Sequence, residues 1–342
     1  MAAAELSYQG ALWYAKERLA MRSLTGPKNT EGPADPIICH PDVRKMLLTQ
    51  RCIAEAGRSM VYECALLNDL MMEADATGDE KEVKRIEGEL HFLTPILKGF
   101  LTEMGVEAAN LGIQIYGKWN QPSIIVWRWN GRLTFPAFFF YISLTGGHGY
   151  IKSNKQEQIL RDVRIAAVWE GTTGIQALDL LGRKIMMGKL KPINEHCGRL
   201  RSKAMNLLMN GSNATVKKHA WEMIKLAAQW QYCTYKIGAA AASNRDAIGV
   251  ASVDYLMYSG YVTMAEHWLK MEEAAASALA NPSEKNAHPK EYYEAKLQTA
   301  EFYFNNILPR TETLVTTMFT PVETVMQMKE EHFSFDHALS GN

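Results

Sequence analysis

Glu170 is the residue of this chain best set for proton chemistry. It closes an apolar run, Ile165-Ala166-Ala167-Val168-Trp169, and Gly171-Thr172-Thr173 follow it. A carboxylate in apolar, desolvated surroundings can take a proton from carbon, which a fully solvated one does poorly. The plain alternative is an acidic residue in the first turn of a helix, where the N-terminal dipole favours it. Metal and thiol chemistry find less support. His148 reads as a loop histidine, and no second histidine stands at ligand spacing. Cys39, Cys52, Cys64, Cys197 and Cys233 are scattered with no CxxC pair, which predicts reduced, mostly core thiols. The pairs Met71-Met72 and Met186-Met187 read as core filler.

The elements that must position these residues are helical. From Pro41 to Met72 apolar residues recur three, four or seven apart, which predicts one long helix with a buried stripe. Before it, Ser23 to Cys39 carries Gly26, Pro27, Gly32, Pro33 and Pro36, the chemistry of a loop. Glu73 to Asp79 reads as a polar turn, and a helix then runs to about Phe92. Thr94-Pro95 predicts a fresh start there, as N-cap and first helical residue. Further helices are expected at about 153–163, 172–188, 193–209, 213–242, 248–280 and 287–308. The stretch after Pro321 ends in a polar tail. The expected class is all-α: an up-and-down bundle of long helices at 1–188, a second helical domain at 189–330, and a tail at 331–342.

Composition narrows the function classes. Of 342 residues, 47% are hydrophobic and 22% charged, which is globular. Lys plus Arg equals Asp plus Glu at 37 each, so no long-range field draws the chain to nucleic acid, and no dense basic block offers a local one. No apolar run reaches the 18 residues a membrane span needs. The amino-terminal segment MAAAELSYQGALWYAKERLAMRSLTG is helical in pattern and resembles neither a signal nor a transit peptide. A chain that begins inside an amphipathic helix reads as cut rather than started.

Residues 118–146, KWNQPSIIVWRWNGRLTFPAFFFYISLTG, break the pattern, with eight aromatics and no Asp or Glu. Gly117-Lys118-Trp119 can be encoded with a splice-donor string and Thr145-Gly146 with an acceptor, behind a pyrimidine-rich tract. Two readings stand: a translated intron, or a genuine insertion.

With that segment lifted out, Gly112-Ile113-Gln114-Ile115-Tyr116-Gly117 joins Gly147-His148-Gly149-Tyr150-Ile151, followed by QILRDVRIAAVWEGTTGIQALDLLGRK. The spliced stretch resembles the carboxyl-terminal signature of acyl-CoA dehydrogenases: Q-x-x-G-G-x-G-aromatic, then RD-x-R-I, then EGT. YAKERLAMR near the start resembles the arginine-bearing helix of the same domain. Residues 189–330 resemble the extra carboxyl-terminal domain of the methylthiopropanoyl-CoA dehydrogenase subfamily.

The resemblance implies roles. The reaction would be removal of hydrogens from Cα and Cβ of an acyl-CoA thioester, with FAD as hydride acceptor, because no side chain takes a hydride. Glu170 would be the base, and its backbone N–H would help hold the thioester carbonyl as charge develops. Trp169, where the family usually has Tyr, and Gly171 flank the base and would shape the acyl pocket. Arg18 would reach an FAD phosphate in a neighbouring subunit, for which a guanidinium's fork of donors suits, its plain alternative being a solvated helix arginine. Gln114, Gly117 and Gly147 would approach the adenine end, where glycine permits close backbone contact. Thr172 would stand near the flavin, its plain alternative being a helix cap. Gly174 stands where many relatives carry Gln.

The family's amino-terminal helical domain and middle β-domain have no counterpart in the sequence. Without those walls the chain is expected to bind FAD weakly and to be inactive alone. Electron-transfer flavoprotein as electron acceptor, a homodimer or higher oligomer sharing FAD, and a mitochondrial matrix location (cytoplasmic if the gene is bacterial) follow from the resemblance. A non-catalytic helical scaffold is the alternative from another class.

Overall fold

A computed structural model describes residues 1–117, 146–282 and 288–333. The expected insert, apart from the backbone of Gly146, and most of the expected tail lie outside the described residues. Among the described residues the chain is helical, and the one β feature is an isolated bridge between Leu19 and Pro36. The helices are α1 Ala2–Glu17, α2 Pro41–Ala76, α3 Glu80–Tyr116, α4 Gln156–Arg164, α5 Thr173–Leu178, α6 Lys191–Asn210, α7 Ala214–Ser243, α8 Asp246–Ala280, α9 Lys290–Phe302, α10 Arg310–Thr317 and α11 Glu323–Met326. Helix α5 runs on as a π-helical stretch, Asp179–Met187. No helix among the described residues is long and apolar enough to cross a membrane.

Three sequence expectations need correction. Thr94-Pro95 does not restart a helix, because α3 runs through it for 37 residues. Proline removes one N–H and leaves the carbonyl four residues back without its donor. Here the Lys184 ammonium donates to that carbonyl, of His91, and so replaces the lost bond. Second, the methionine pairs are not simply core: Met72 is 63% exposed and Met187 77%. In each pair the helical turn carries the second residue away from its neighbour's face. Third, Arg18 does not stand within a helix but is the C-cap of α1, in extended backbone.

The chain divides into two compact units that do not follow a single cut. Unit 1 is residues 1–55 with 104–166, and unit 2 is residues 56–103 with 167–342. In unit 1 the small face of α1, Ala11 and Ala15, packs with Ile37, Val43, Leu47 and Ile115. A buried polar knot ties α1 to α2, α3 and α4. Ser7 Oγ donates to Gln156 Oε1 at 3.0 Å, and Gln50 Nε2 donates to the carbonyl of Ala108 at 2.8 Å. Gly112 makes room for the knot, since a Cβ there would lie 2.1 Å from Ser7 Oγ. The loop before α2 is pinned by buried Asp35, which accepts from the backbone N–H groups of Ser23, Lys28 and Asn29 and from Arg22. Those backbone donors and Arg22 hold its carboxyl well below the usual carboxylate range.

Unit 2 is built around α8, apolar nearly all round and buried accordingly, with Tyr255, Tyr258, Met264 and Trp268 inside. The buried tyrosines satisfy their hydroxyls: Tyr258 donates to the carbonyl of Leu226 at 3.0 Å, and Tyr303 to that of Tyr261 at 2.7 Å. A charged network threads the same unit. Lys270 bridges Glu63 at 2.7 Å and Glu266 at 3.0 Å, and His267 lies between Ser59 Oγ at 2.8 Å and Glu63 at 3.1 Å. Burial alone would raise the Glu266 carboxyl, but Lys270 and Lys203 override it and hold it well below the usual range.

Candidate functional site

The EGT motif is a turn, not the first turn of a helix. Glu170 has φ +53° and Gly171 φ +101°, two successive left-handed residues. For a side-chain-bearing residue that region costs on the order of 1–3 kcal/mol and persists where the surroundings over-determine it, which is common at functional sites. Helix α5 starts immediately after. Thr172 is its N-cap, its hydroxyl accepting from the backbone N–H of Ile175 at 3.4 Å. The capping role expected as the plain alternative is therefore present.

Two side chains grip the turn. Gln176 Nε2 of α5 donates to the carbonyl of Glu170 at 3.1 Å, and the Lys98 ammonium of α3 donates to the carbonyl of Gly171. Farther along α3, Glu103 accepts from Thr173 Oγ1 at 2.5 Å. Sequence reasoning missed Lys98 and Gln176. A signal existed: a glycine directly after the carboxylate and a capping threonine directly after that describe a turn.

The water-poor setting expected for Glu170 is absent among the described residues of unit 2. Glu170 is exposed, and the apolar side chains near it in sequence are exposed with it: Trp169 at 58%, Ile175 at 58% and Val168. Ala167 alone of the preceding residues in unit 2 turns inward. The run before Glu170 therefore forms a bare apolar surface beside a carboxylate instead of a pocket around it. Gly174 has open space where a Cβ would stand.

The other sequence candidates lie in unit 1, where three segments converge through an aromatic cluster. Tyr14 of α1 stacks on Tyr116 of α3, with ring centroids 4.1 Å apart. Its hydroxyl lies 2.9 Å from His148 Nδ1 in the 3₁₀ turn Gly146–Tyr150, whose carbonyl at His148 accepts from Asn154 at 2.7 Å. Arg18 is one turn beyond Tyr14, and its N–H donates to the Tyr14 carbonyl at 2.8 Å. Gly117 directly follows Tyr116, and Gly147 directly precedes His148. The cluster thus gathers Arg18, Gly117 and Gly147 at one end of the unit. Gln114, between buried Ile113 and Ile115, points outward and is exposed. A Cβ at Gly147 would meet nothing within 4 Å, whereas one at Gly149 would lie 2.4 Å from the carbonyl of Ile113. Gly149 is the glycine the packing demands, whereas among the described residues nothing crowds the place a side chain would take at Gly147. No group of histidine, cysteine and carboxylate side chains fit to hold a metal ion occurs among the described residues.

Residues 140–186 match the family model described as acyl-CoA dehydrogenase, C-terminal domain, and residues 191–329 match that described as acetyl-CoA dehydrogenase C-terminal like. The chain is 30% identical over 309 residues to a 3-methylmercaptopropionyl-CoA dehydrogenase of Ruegeria pomeroyi, covering 90% of this chain and 45% of that protein. It is 26% identical over 339 residues to a broad-specificity linear acyl-CoA dehydrogenase of Mycobacterium tuberculosis, covering 95% of this chain and 48% of that protein. The chain thus spans about half the length of the curated relatives it matches. Among solved structures, an acyl-CoA dehydrogenase from Bacillus anthracis, complexed with FAD, superposes with a TM-score of 0.62 at 18% identity, covering 99% of this chain and 48% of the other. The Caenorhabditis elegans ACDH-11, in complex with C11-CoA, gives a TM-score of 0.57 at 15% identity over 88% of this chain and 40% of the other. Two consecutive family models, relatives aligned over nine-tenths of the chain and a matching all-helical fold agree: the chain belongs to the acyl-CoA dehydrogenase family, as its carboxyl-terminal helical part.

Proposed function

We propose that this chain supplies the carboxyl-terminal half of a site for FAD-dependent Cα–Cβ dehydrogenation of an acyl-CoA thioester. The observation that carries the reading is the Glu170 turn: a carboxylate in left-handed backbone, gripped by two side chains and bordered by exposed apolar residues. Glu170 accepts the α proton at a carboxylate oxygen, and its backbone N–H steadies the thioester carbonyl as negative charge develops there. Trp169 and Gly171 border the acyl chain. The exposed apolar surface beside Glu170 favours an arrangement in which further protein or substrate covers it and excludes water.

The residues present fit the polar end of FAD. Gly147, uncrowded among the described residues, and the exposed amide of Gln114 offer close approach and hydrogen bonding, and Arg18 and Gly117 stand at the same end of unit 1. In the proposed oligomer Arg18 would meet a phosphate of an FAD held by a neighbouring subunit, and Gln114, Gly117 and Gly147 would approach an adenine end; Thr172, in unit 2, would by itself stand near a flavin. When bound, FAD supplies the acceptor for the hydride leaving Cβ. We assign residues up to about 188 to the dehydrogenase domain and 189–330 to an additional helical domain. Electron-transfer flavoprotein as the onward acceptor and a homodimer or higher oligomer complete the reading. The place of work is the mitochondrial matrix for a eukaryotic gene and the cytoplasm for a bacterial one.

The test joins this chain to the amino-terminal half of the Ruegeria pomeroyi relative and follows acyl-CoA-dependent dye reduction. Glu170→Gln should lower the rate by about 10²–10⁴-fold, the range of a general base. An active fusion in which Glu170→Gln changes the rate by less than a few-fold removes Glu170 as the base and favours a scaffold.

A further inference from the structure

We propose that Lys98 and Gln176 are positioning residues that lock the Glu170–Gly171 turn and so fix where the Glu170 carboxylate points. The catalytic consequence rests on Glu170 being the base, but the locking itself does not. Two successive left-handed residues, one bearing a side chain, need an outside hold, since extended or helical backbone is the easier course for glutamate. The hold is visible. Both carbonyls of the turn are taken by side chains from different helices: that of Glu170 by the Gln176 amide, and that of Gly171 by the Lys98 ammonium. Flattening the turn would break both bonds together.

The surrounding glycines are placed for this grip. A Cβ at Gly171 would lie 3.0 Å from Gln176 Nε2, and a Cβ at Gly99 would lie 2.5 Å from Leu256 Cδ2 and 3.2 Å from Gln176 Cβ. Gln176 therefore sits between two glycines, one in the turn and one on α3, the second of which leaves room for Leu256 as well. Gly99 directly follows Lys98, so the position that lets Gln176 lie against α3 adjoins the one that sends an ammonium to the turn. Thr173, bonded to Glu103, fastens the start of α5 to the same helix. The turn is thus fixed from α3 at Lys98 and Glu103, and from α5 at Gln176.

Hydrogen exchange on the purified chain tests the lock directly. In Lys98→Met and in Gln176→Glu, which keeps the side-chain shape but removes the donor, amides of residues 168–173 should exchange about tenfold faster. Amides of α8 and the melting temperature should hold, and Lys98→Arg, which keeps a cationic donor, should restore part of the protection. If Lys98→Met unfolds the chain, Gln176→Glu alone decides. In the active fusion either variant should lower kcat about tenfold with KM within about twofold, as expected when an interaction made only in the transition state is misplaced. Wild-type exchange across 168–173 in both variants overturns the proposal. Faster exchange with unchanged kcat keeps the lock and overturns its catalytic role. A fusion that survives Glu170→Gln sinks the reading of Glu170 as base, while the exchange data still decide whether the two side chains hold the turn.

Discussion

Two glycines in helices of the same unit should respond to the same substitution with opposite sign. Replacing a mid-helix glycine by alanine favours folding by about 1 kcal/mol, because the unfolded chain loses more freedom with glycine. At Gly198 on α6 nothing lies within 4 Å of the added methyl, so that gain should be realised. At Gly260 on α8 the methyl would lie 2.0, 2.3 and 2.5 Å from three ring atoms of Phe100. That ring is fully buried and packs edge-on to Tyr261 at 4.9 Å, so it has no flexible end to swing aside. Overpacking of this kind costs about 1–3 kcal/mol or more. With the upper end taken because the ring is rigid, the net loss is about 2 kcal/mol. Gly260→Ala should therefore melt about 4–8 °C below wild type and Gly198→Ala about 2–4 °C above it, by far-UV circular dichroism. Pairing Gly260→Ala with Phe100→Leu should recover at least about 1 kcal/mol of the loss, since the two positions touch. A Gly260→Ala chain that melts at or above wild type would refute the packing argument.

Acid should weaken unit 2 before carboxylate titration explains it. Burial pushes the His196 and His267 imidazoles down to about 4, from an ordinary value near 6.5. Between those two values the unfolded chain binds protons that the folded chain refuses. Stability therefore falls as pH drops through that window, by up to about 1.4 kcal/mol per pH unit per histidine, and neither contributes above it. Urea midpoints from pH 7.5 to about 4.5 should follow this slope, and His196→Phe should remove about half of it. In unit 1, Gly112→Ala puts a methyl 2.1 Å from Ser7 Oγ and 2.6 Å from Gln156 Oε1, and should cost about 2 kcal/mol or more in denaturant titration. The 342 residues expressed alone should retain no FAD through gel filtration and reduce no dye with an acyl-CoA; measurable turnover would contradict the need for further walls.

Much of the fold was legible because long helices announce themselves by period. The stripe from Pro41 onward gave α2, and the starts and ends of α6, α7 and α8 fall within about two residues of expectation, the usual fraying range. Pro95 was misread because its local rule is sound and its remedy is remote. The cost of proline is a stranded carbonyl, and the donor that relieves it, Lys184, stands 93 positions away. No inspection of residues around Pro95 finds that lysine. The exposed methionines fail for a related reason: an apolar residue is assigned to the core until the helix face it occupies is known.

The candidate site divides along the same line. Glu170 could be singled out because three spaced motifs frame it, but its conformation could not be read, since a left-handed glutamate is a poor guess from local preference. Places where local rules fail and the fold still holds tend to be functional or strained, and here the compensation is identifiable. Two donors, a capping threonine and two glycines are arranged around one turn, while the carboxylate it carries is left in solvent beside exposed Trp169 and Val168. A turn held rigid while its apolar border stays bare is the arrangement the proposed half-site calls for, rigid at the proposed base and open where a covering surface would sit.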